Sequence, residues 1–152
     1  MKSRIYVDSS VVGGCEDAEF QEHSLQLMEC FVRGDDVLVL SDLTVQELAT
    51  APEAVRRHLS GVPGEHIETL QLGGEARDLA EAYLSEGVIP EKMRVDAQHI
   101  AIATVARVDV LVSWNFKHIV NLPRIRGYHS VNIRKGYPIL EIRSPREVLA
   151  NE

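Results

Sequence analysis

Residues 4–10 read RIYVDSS, an apolar run that ends in an aspartate followed by two serines. The run at 4–7 has the composition of a short β-strand, so the sequence predicts that Asp8 stands directly after a strand. VLVL at 37–40 and VDVLVS at 108–113 repeat this pattern. Such largely apolar runs are typical of strands that are buried on both faces, and these strands occur in parallel sheets covered by helices.

Helical patterns separate these strands; a fourth buried strand is predicted at 137–142 and a weaker strand at 66–72. The predicted helices are 17–33, a segment after Ser41 or Asp42, 52–60, 74–86, 95–107 and a capped last turn in SPREVL at 144–149. Gly13-Gly14 lacks the spacing of a phosphate-binding loop and is interpreted as a turn. The alternation of strands and helices predicts an α/β fold with three layers, α/β/α, around a central, mainly parallel sheet.

Length and composition set limits on the class of protein. At 152 residues, of which 45% are hydrophobic, the chain predicts a single domain over 1–152 with its own core. The net charge of −7 argues against a broad basic face for nucleic acid, but it leaves open an acidic centre ringed by a few arginines. There is no membrane-length apolar run, no secretory signal pattern, and no metal or disulfide spacing in the two cysteines. We therefore expect a cytoplasmic protein without membrane contact.

Three acids and one amide fall where a doubly wound sheet gathers its functional groups. Asp8 and Asn115 follow predicted strands directly. Glu47 lies about one turn into the helix after VLVL, and Asp96 opens the 95–107 helix. Crowded carboxylates are tolerated chiefly around a divalent cation, and oxygen-only ligands favour Mg²⁺ or Mn²⁺. Taken singly, Asp8 and Asp96 could instead stabilise helix starts, and Glu47 could be a solvated surface residue.

Four segments resemble, in the same order, the motifs of PIN-domain proteins. They are IYVDSSVVGG at 5–14, LTVQELA at 43–49, DAQHIAIA at 96–103 and LVSWNFKHI at 111–119. The similarity is greatest to the bacterial and archaeal PIN proteins related to VapC-type toxin ribonucleases, and it spans residues 4–142. No single segment is specific, whereas the ordered set with its spacing is.

The resemblance implies a fold, a chemistry and a set of residues. PIN domains have a central parallel sheet between helices, and their acidic cluster uses Mg²⁺ or Mn²⁺ to hydrolyse RNA phosphodiester bonds. By position, Asp8, Glu47 and Asp96 match the three metal-binding, catalytic acids. Ser10 matches the small polar residue that helps to orient water or phosphate. Asn115 stands where many members have a fourth acid, and its oxygen can bind a cation without adding charge, so a second metal should bind more weakly.

Residues beside the acids are candidates for further contacts. His99 lies three residues after Asp96, where it could contact the metal ligands or the RNA, or be a buried histidine with satisfied hydrogen bonds. Lys92 and Arg94 precede Asp96 and are expected to steer the phosphate backbone. His118, which follows Asn115 together with Lys117, could contact phosphate, but it is interpreted as part of a solvated turn.

The resemblance also implies partners. As the toxin of a type II toxin–antitoxin pair, the chain would act on RNA and bind a small antitoxin protein, and its apolar helices are compatible with a homodimer. One alternative is a PIN-like module whose metal site is weakened at Asn115, so that it binds without cutting. A receiver-like domain needs adjacent acids after the first strand, whereas Asp8 is followed by Ser9 and Ser10. A doubly wound small-molecule enzyme would carry a glycine fingerprint, which is absent from the sequence.

Overall fold

The computed structural model describes residues 2–150, so Met1 and residues 151–152 of the predicted domain lie outside the described part. The five strands described there are Arg4–Val7 (β1), Val37–Ser41 (β2), Ile67–Leu70 (β3), Val110–Val112 (β4) and Ile142–Arg143 (β5). They form one parallel sheet in the order β3-β2-β1-β4-β5. The strand order therefore reverses between β1 and β4, and a sheet of this kind has its crevice at the carboxyl ends of those strands.

The helices of residues 2–150 cover both faces of the sheet. They are Ser9–Gly14 (α1), Gln21–Arg33 (α2), Asp42–Ala49 (α3), Glu53–Ser60 (α4), Gly74–Ser85 (α5), Arg94–Val105 (α6), Leu122–Arg134 (α7) and Pro145–Ala150 (α8). Single turns of 3-10 helix, Gly64–His66 and Glu91–Met93, precede β3 and α6. The arrangement confirms the predicted three-layer α/β/α fold.

The sheet is buried on both faces because alternate strand residues belong to two different cores. In β1, Ile5 and Val7 pack with residues such as Phe31 of α2. Tyr6, between them, packs on the opposite face with residues such as Ile100 of α6. All three β1 residues are at most 2% exposed. The side-chain period of two thus places consecutive residues of one apolar run in separate layers.

Three stretches differ from the sequence-based expectation. Gly13 and Gly14 do not form a turn, because they are the last residues of helix α1. Of the strand predicted at 137–142, only Ile142 belongs to β5. Pro138 has no amide hydrogen to donate, and β4 offers only three residues for pairing. Helix α7 is not among the predicted helices.

Helix α8 begins with the predicted cap. The Ser144 N–H donates to Glu147 Oε1 at 2.9 Å, and the Glu147 N–H donates to Ser144 Oγ at 3.3 Å. This reciprocal pair is a capping box, which satisfies two amide groups at the helix start. None of the helices described between residues 2 and 150 has the length and apolarity that crossing a membrane requires.

Candidate metal-binding active site

The carboxyl ends of β1 and β4 lie side by side and bring the first functional groups together. Val7 pairs with Val112, so the next residues along each strand, Asp8 and Ser113, are neighbours. The Ser113 hydroxyl donates to Asp8 Oδ2 at 2.7 Å. The sequence analysis did not single out Ser113. Its position directly after an apolar run, like that of Asp8, is nevertheless a signal that it lies at the carboxyl edge of the sheet.

The Asp8 carboxylate is buried and is held by serine residues. Asp8 is 6% exposed, and its Oδ1 accepts hydrogen bonds from the Ser10 hydroxyl at 2.6 Å and the Ser10 N–H at 3.2 Å. Burial raises the pKa of Asp8, and this effect outweighs the opposing effects of His99 and the two serines. In residues 2–150 no ion pair with a lysine or arginine involves Asp8 or Asp96.

Asn115 both turns the chain and faces the acids. Its Nδ2 donates to Asp96 Oδ2 at 3.2 Å. Its Oδ1 accepts the backbone N–H groups of Lys117 at 3.2 Å and His118 at 3.0 Å. The amide therefore presents its donor, and not its oxygen, to Asp96. Burial raises the pKa of Asp96, and the charge of Asp8 raises it further, while His99 opposes both effects.

The exposed Glu47 and the buried His99 form a hydrogen-bonded pair near Asp8. His99 is 1% exposed, and its Nε2 lies 3.0 Å from Glu47 Oε1. Because an ionised carboxylate can only accept, Nε2 carries the hydrogen. Burial raises the pKa of Glu47, but the hydrogen bond and charge of His99 outweigh it and hold that pKa below its usual value. Burial lowers the pKa of His99, whereas Glu47 and then Asp8 raise it overall.

Two further polar groups lie behind His99: Tyr6, which the sequence did not single out, and Ser41, which was expected only as a possible helix cap and makes no side-chain capping bond. The Tyr6 hydroxyl is 2.7 Å from His99 Nδ1 and 2.7 Å from Ser41 Oγ. Tyr6 and Ser41 are both fully buried. Tyr6 stands two residues before Asp8, so the period of two in β1 is the sequence signal that could have drawn attention to it.

The donor set suits a hard divalent cation, although it is not arranged as a closed cage. Within the described part of the chain, no group of three or more His, Cys, Asp or Glu side chains stands ready to hold a metal ion. Glu47 is hydrogen-bonded to His99, and the oxygen of Asn115 is engaged by the turn. Only one Glu47 oxygen, Oε1, is bonded to His99, and Asp8 and Asp96 add two acids with like charges and raised pKa values. A bound Mg²⁺ or Mn²⁺ would relieve that repulsion, so the residues fit such an ion by their chemistry.

The two predicted phosphate-steering cations differ in their surroundings. Arg94 forms ion pairs with Glu81 and Glu91, so its charge is shared with two carboxylates. Lys92 is exposed and is close enough to His118 to lower the pKa of that histidine. Of the pair, Lys92 is the more exposed residue.

His118 is buried, so its interpretation as part of a solvated turn is wrong. It is 7% exposed, and among residues 2–150 its Nδ1 finds no hydrogen-bond partner. Its carbonyl accepts from the Tyr128 hydroxyl at 2.7 Å, while the Arg124 guanidinium donates to the neighbouring Lys117 carbonyl at 2.9 Å. These bonds from α7 fix the segment after β4, and with it Asn115.

Trp114 packs beneath the site as an apolar wedge. Its ring stacks on Phe20 with centroids 4.4 Å apart, and its indole N–H donates to Ser24 Oγ at 2.8 Å. The backbone N–H of Trp114 donates to Ser10 Oγ at 2.9 Å. The backbone of Trp114 is thereby bonded to Ser10, the serine whose hydroxyl donates to Asp8.

A parallel sheet in the order β3-β2-β1-β4-β5 between helical layers, with acids at the carboxyl edge of its central strand, defines a PIN-like domain. The chain has the PIN-domain fold of solved VapC toxin structures.

Three solved structures illustrate the likeness. A toxin–antitoxin complex from Klebsiella pneumoniae matches at a TM-score of 0.58 and 14% identity, over 79% of this chain and 93% of that chain. The VapC20 toxin of Mycobacterium tuberculosis, described as cleaving the sarcin–ricin loop, gives 0.56 and 15%, over 75% and 92%. A DNA-bound VapBC from Salmonella typhimurium gives 0.53 and 17%, over 95% and 99%. At these identities the likeness establishes the fold alone. No protein-family model matches the chain, and no curated protein sequence matches it either.

Proposed function

We propose that this protein is a Mg²⁺- or Mn²⁺-dependent endoribonuclease and the toxin of a type II toxin–antitoxin pair. The observation that carries the proposal is the pair of acids at the switch point of the parallel sheet, the buried Asp8 and the nearby Asp96. Neither acid forms an ion pair with a lysine or arginine of the described chain. The fold supports it, because a solved toxin with this fold is described as cleaving the sarcin–ricin loop.

The proposal assigns Asp8, Glu47 and Asp96 to holding the cation and to catalysis. Held by these residues, Mg²⁺ or Mn²⁺ would supply Lewis acidity toward the attacking water and the phosphoryl oxygens. Asp8 is held in one orientation, because Ser10 and Ser113 donate to both of its oxygens. In this geometry the Ser10 hydroxyl hydrogen is donated to Asp8, so Ser10 acts by orienting the acid.

Asn115 contributes by orienting Asp96. Coordination through Oδ1 would break two hydrogen bonds to backbone N–H groups, whereas the present geometry directs Nδ2 to Asp96 Oδ2. The site then has three carboxylates, and a single divalent cation is the occupancy that this charge supports best.

The RNA backbone approaches Asp96 over positive side chains. Lys92 and Lys117 are exposed, and both are close enough to His118, beside Asp96, to lower the pKa of that histidine. Arg94 plays a lesser part, because Glu81 and Glu91 share its charge. Few phosphate contacts on a chain of net charge −7 suit a short or structured RNA held mainly at the cleavage point.

The partners follow from the same proposal. Solved structures with this fold come from toxin–antitoxin complexes, which supports a small antitoxin protein as a partner of this chain. We also propose that the protein is cytoplasmic and that it forms a homodimer.

Cleavage of a mixed RNA panel tests the activity. The wild type is incubated with Mg²⁺ or Mn²⁺ and with EDTA, beside Asp8→Asn and Asp109→Asn. Asp109 is a matched control, because it lies at the opposite edge of the sheet and accepts the Arg4 N–H at 2.6 Å. The proposal predicts metal-dependent cutting that Asp8→Asn abolishes and Asp109→Asn retains. Cutting that survives in Asp8→Asn would assign the activity to another centre.

A non-catalytic PIN-like binding module is the second candidate. The observation that favours it is the orientation of Asn115, whose amide nitrogen faces Asp96 where a fourth acid would supply charge. This candidate predicts that the wild type binds Mn²⁺ and RNA but leaves every RNA of the panel intact.

A further inference from the structure

A buried chain of hydrogen bonds stands directly behind the acidic site. It runs from Ser41 Oγ to the Tyr6 hydroxyl, 2.7 Å away, and on to His99 Nδ1, again 2.7 Å away. The opposite ring nitrogen of His99 lies 3.0 Å from Glu47 Oε1. Ser41, Tyr6 and His99 are all at most 1% exposed, so solvent cannot satisfy these groups.

The chain of bonds joins the three elements that carry the acids. Tyr6 lies on β1, two residues before Asp8. Ser41 ends β2 at the N-cap of α3, the helix of Glu47, yet its side chain makes no capping bond and contacts Tyr6 instead. His99 is on α6, three residues after Asp96, so one hydroxyl fixes the relative placement of all three acid-bearing segments.

A phenylalanine ring would fill the same space in the core as Tyr6, so the Tyr6 hydroxyl is not needed for packing. Its ring already packs in the core and meets the His99 imidazole edge-on, with centroids 5.7 Å apart. A buried hydroxyl costs free energy unless it is hydrogen-bonded. For Tyr6 those bonds are made with Ser41 and His99. Polar groups that orient metal ligands from behind typically change metal affinity or activity about 10–100-fold when they are removed.

We propose that Tyr6, His99 and Ser41 are positioning residues that hold the Glu47 carboxylate in place for the divalent cation and so set the affinity of the site. The inference rests on the proposed function, since it assigns a role toward the cation of that same site. His99 acts through Glu47 and does not touch the RNA, because its side chain is buried.

Tyr6→Phe tests the inference, with Tyr83→Phe as a matched control. Tyr83 is also a fully buried tyrosine of the same core, and its hydroxyl donates to the buried Asn132. Mn²⁺ binding to the full chain is measured by titration calorimetry, and Tm is measured in EDTA. Both variants should lose a similar amount of thermal stability. Only Tyr6→Phe should weaken Mn²⁺ binding, by about 10-fold. Ser41→Ala should weaken binding in the same direction.

Three outcomes are distinguishable. Weaker Mn²⁺ binding in Tyr6→Phe with unchanged binding in Tyr83→Phe supports the positioning role. Equal Mn²⁺ affinity in the wild type, Tyr6→Phe and Ser41→Ala, with binding abolished by Asp8→Asn, would overturn the positioning role and leave the proposed function standing. A wild type that binds no Mn²⁺ would overturn both.

Discussion

Gly13 and Gly14 are neighbours at the end of helix α1, yet alanine should have opposite effects at the two positions. A Cβ atom on Gly14 would stand 2.4 Å from Ser24 Oγ and 2.8 Å from Trp114 Nε1. These are the two atoms of the hydrogen bond that seats the Trp114 wedge. A Cβ atom on Gly13 would meet nothing within 4 Å.

Gly14→Ala should therefore overpack the wedge and break its hydrogen bond. Overpacking a core costs about 1–3 kcal/mol, and a lost buried hydrogen bond costs about 0.5–1.5 kcal/mol. The free energy of unfolding should fall by roughly 2–4 kcal/mol, which corresponds to a Tm lower by about 5–15 °C for a domain of this length. Gly13→Ala should instead stabilise the helix by about 0.4–1 kcal/mol, because alanine reduces the freedom of the unfolded chain.

Thermal unfolding and tryptophan fluorescence together check this prediction. Trp114 is the only tryptophan of the chain, so its emission reports the wedge alone. Gly14→Ala should shift the emission and lower Tm, while Gly13→Ala should leave the emission unchanged and raise Tm slightly. Equal changes in both variants would refute the reasoning and would favour a flexible Gly-Gly turn.

Three further predictions concern the site. Hydrolysis by water should leave 5′-phosphate and 3′-hydroxyl ends, and end-labelling of the product that finds 2′,3′-cyclic phosphate would contradict the proposed chemistry. Asn115→Asp would set a carboxylate where the amide lies 3.2 Å from Asp96, so Tm in EDTA should fall and a lower Mn²⁺ concentration should suffice for cleavage. An unchanged Mn²⁺ requirement would place residue 115 away from the cation. Burial raises the pKa of Asp8, so the folded protein binds a proton at Asp8 more tightly than the unfolded chain does. Above the folded-state pKa of Asp8 the ionised carboxylate therefore lowers the free energy of unfolding. Asp8→Asn should accordingly raise the Tm of the metal-free protein at neutral pH, with a gain that shrinks as pH falls to the usual carboxyl range; a Tm difference that grows on acidification would oppose this sign.

Local sequence is sufficient to predict the parts of the fold that depend on nearby residues. The apolar run before Asp8 predicts β1 with the bounds that the structure has, and the Ser144–Glu147 spacing predicts the cap of α8. Helix α1 has only six residues, too few for a helical period to appear, so its two glycines resemble a turn. The need for Gly14 comes from Trp114, which is distant in sequence.

The geometry behind the acids depends on contacts that no single segment contains. Tyr6 and His99 are 93 positions apart, and nothing near either residue indicates that their side chains meet. The direction of the Asn115 amide depends on the backbone N–H groups of the turn that follows it, so the residue type alone could not predict which atom faces Asp96. Helix α7 does carry a local signal, since Asn121 caps it and Pro123 lies in its first turn.

The position of a bound Mn²⁺ ion tests the central claim most directly. Anomalous diffraction from crystals soaked in Mn²⁺ should give a peak about 2 Å from carboxylate oxygens of Asp8 and Asp96, with Glu47 facing it. The acids at the opposite edge of the sheet, Asp36 and Asp109, should stay without a peak. A peak at those acids, or none beside Asp8 at saturating Mn²⁺, would contradict the assignment of the carboxyl edge as a metal-dependent active site.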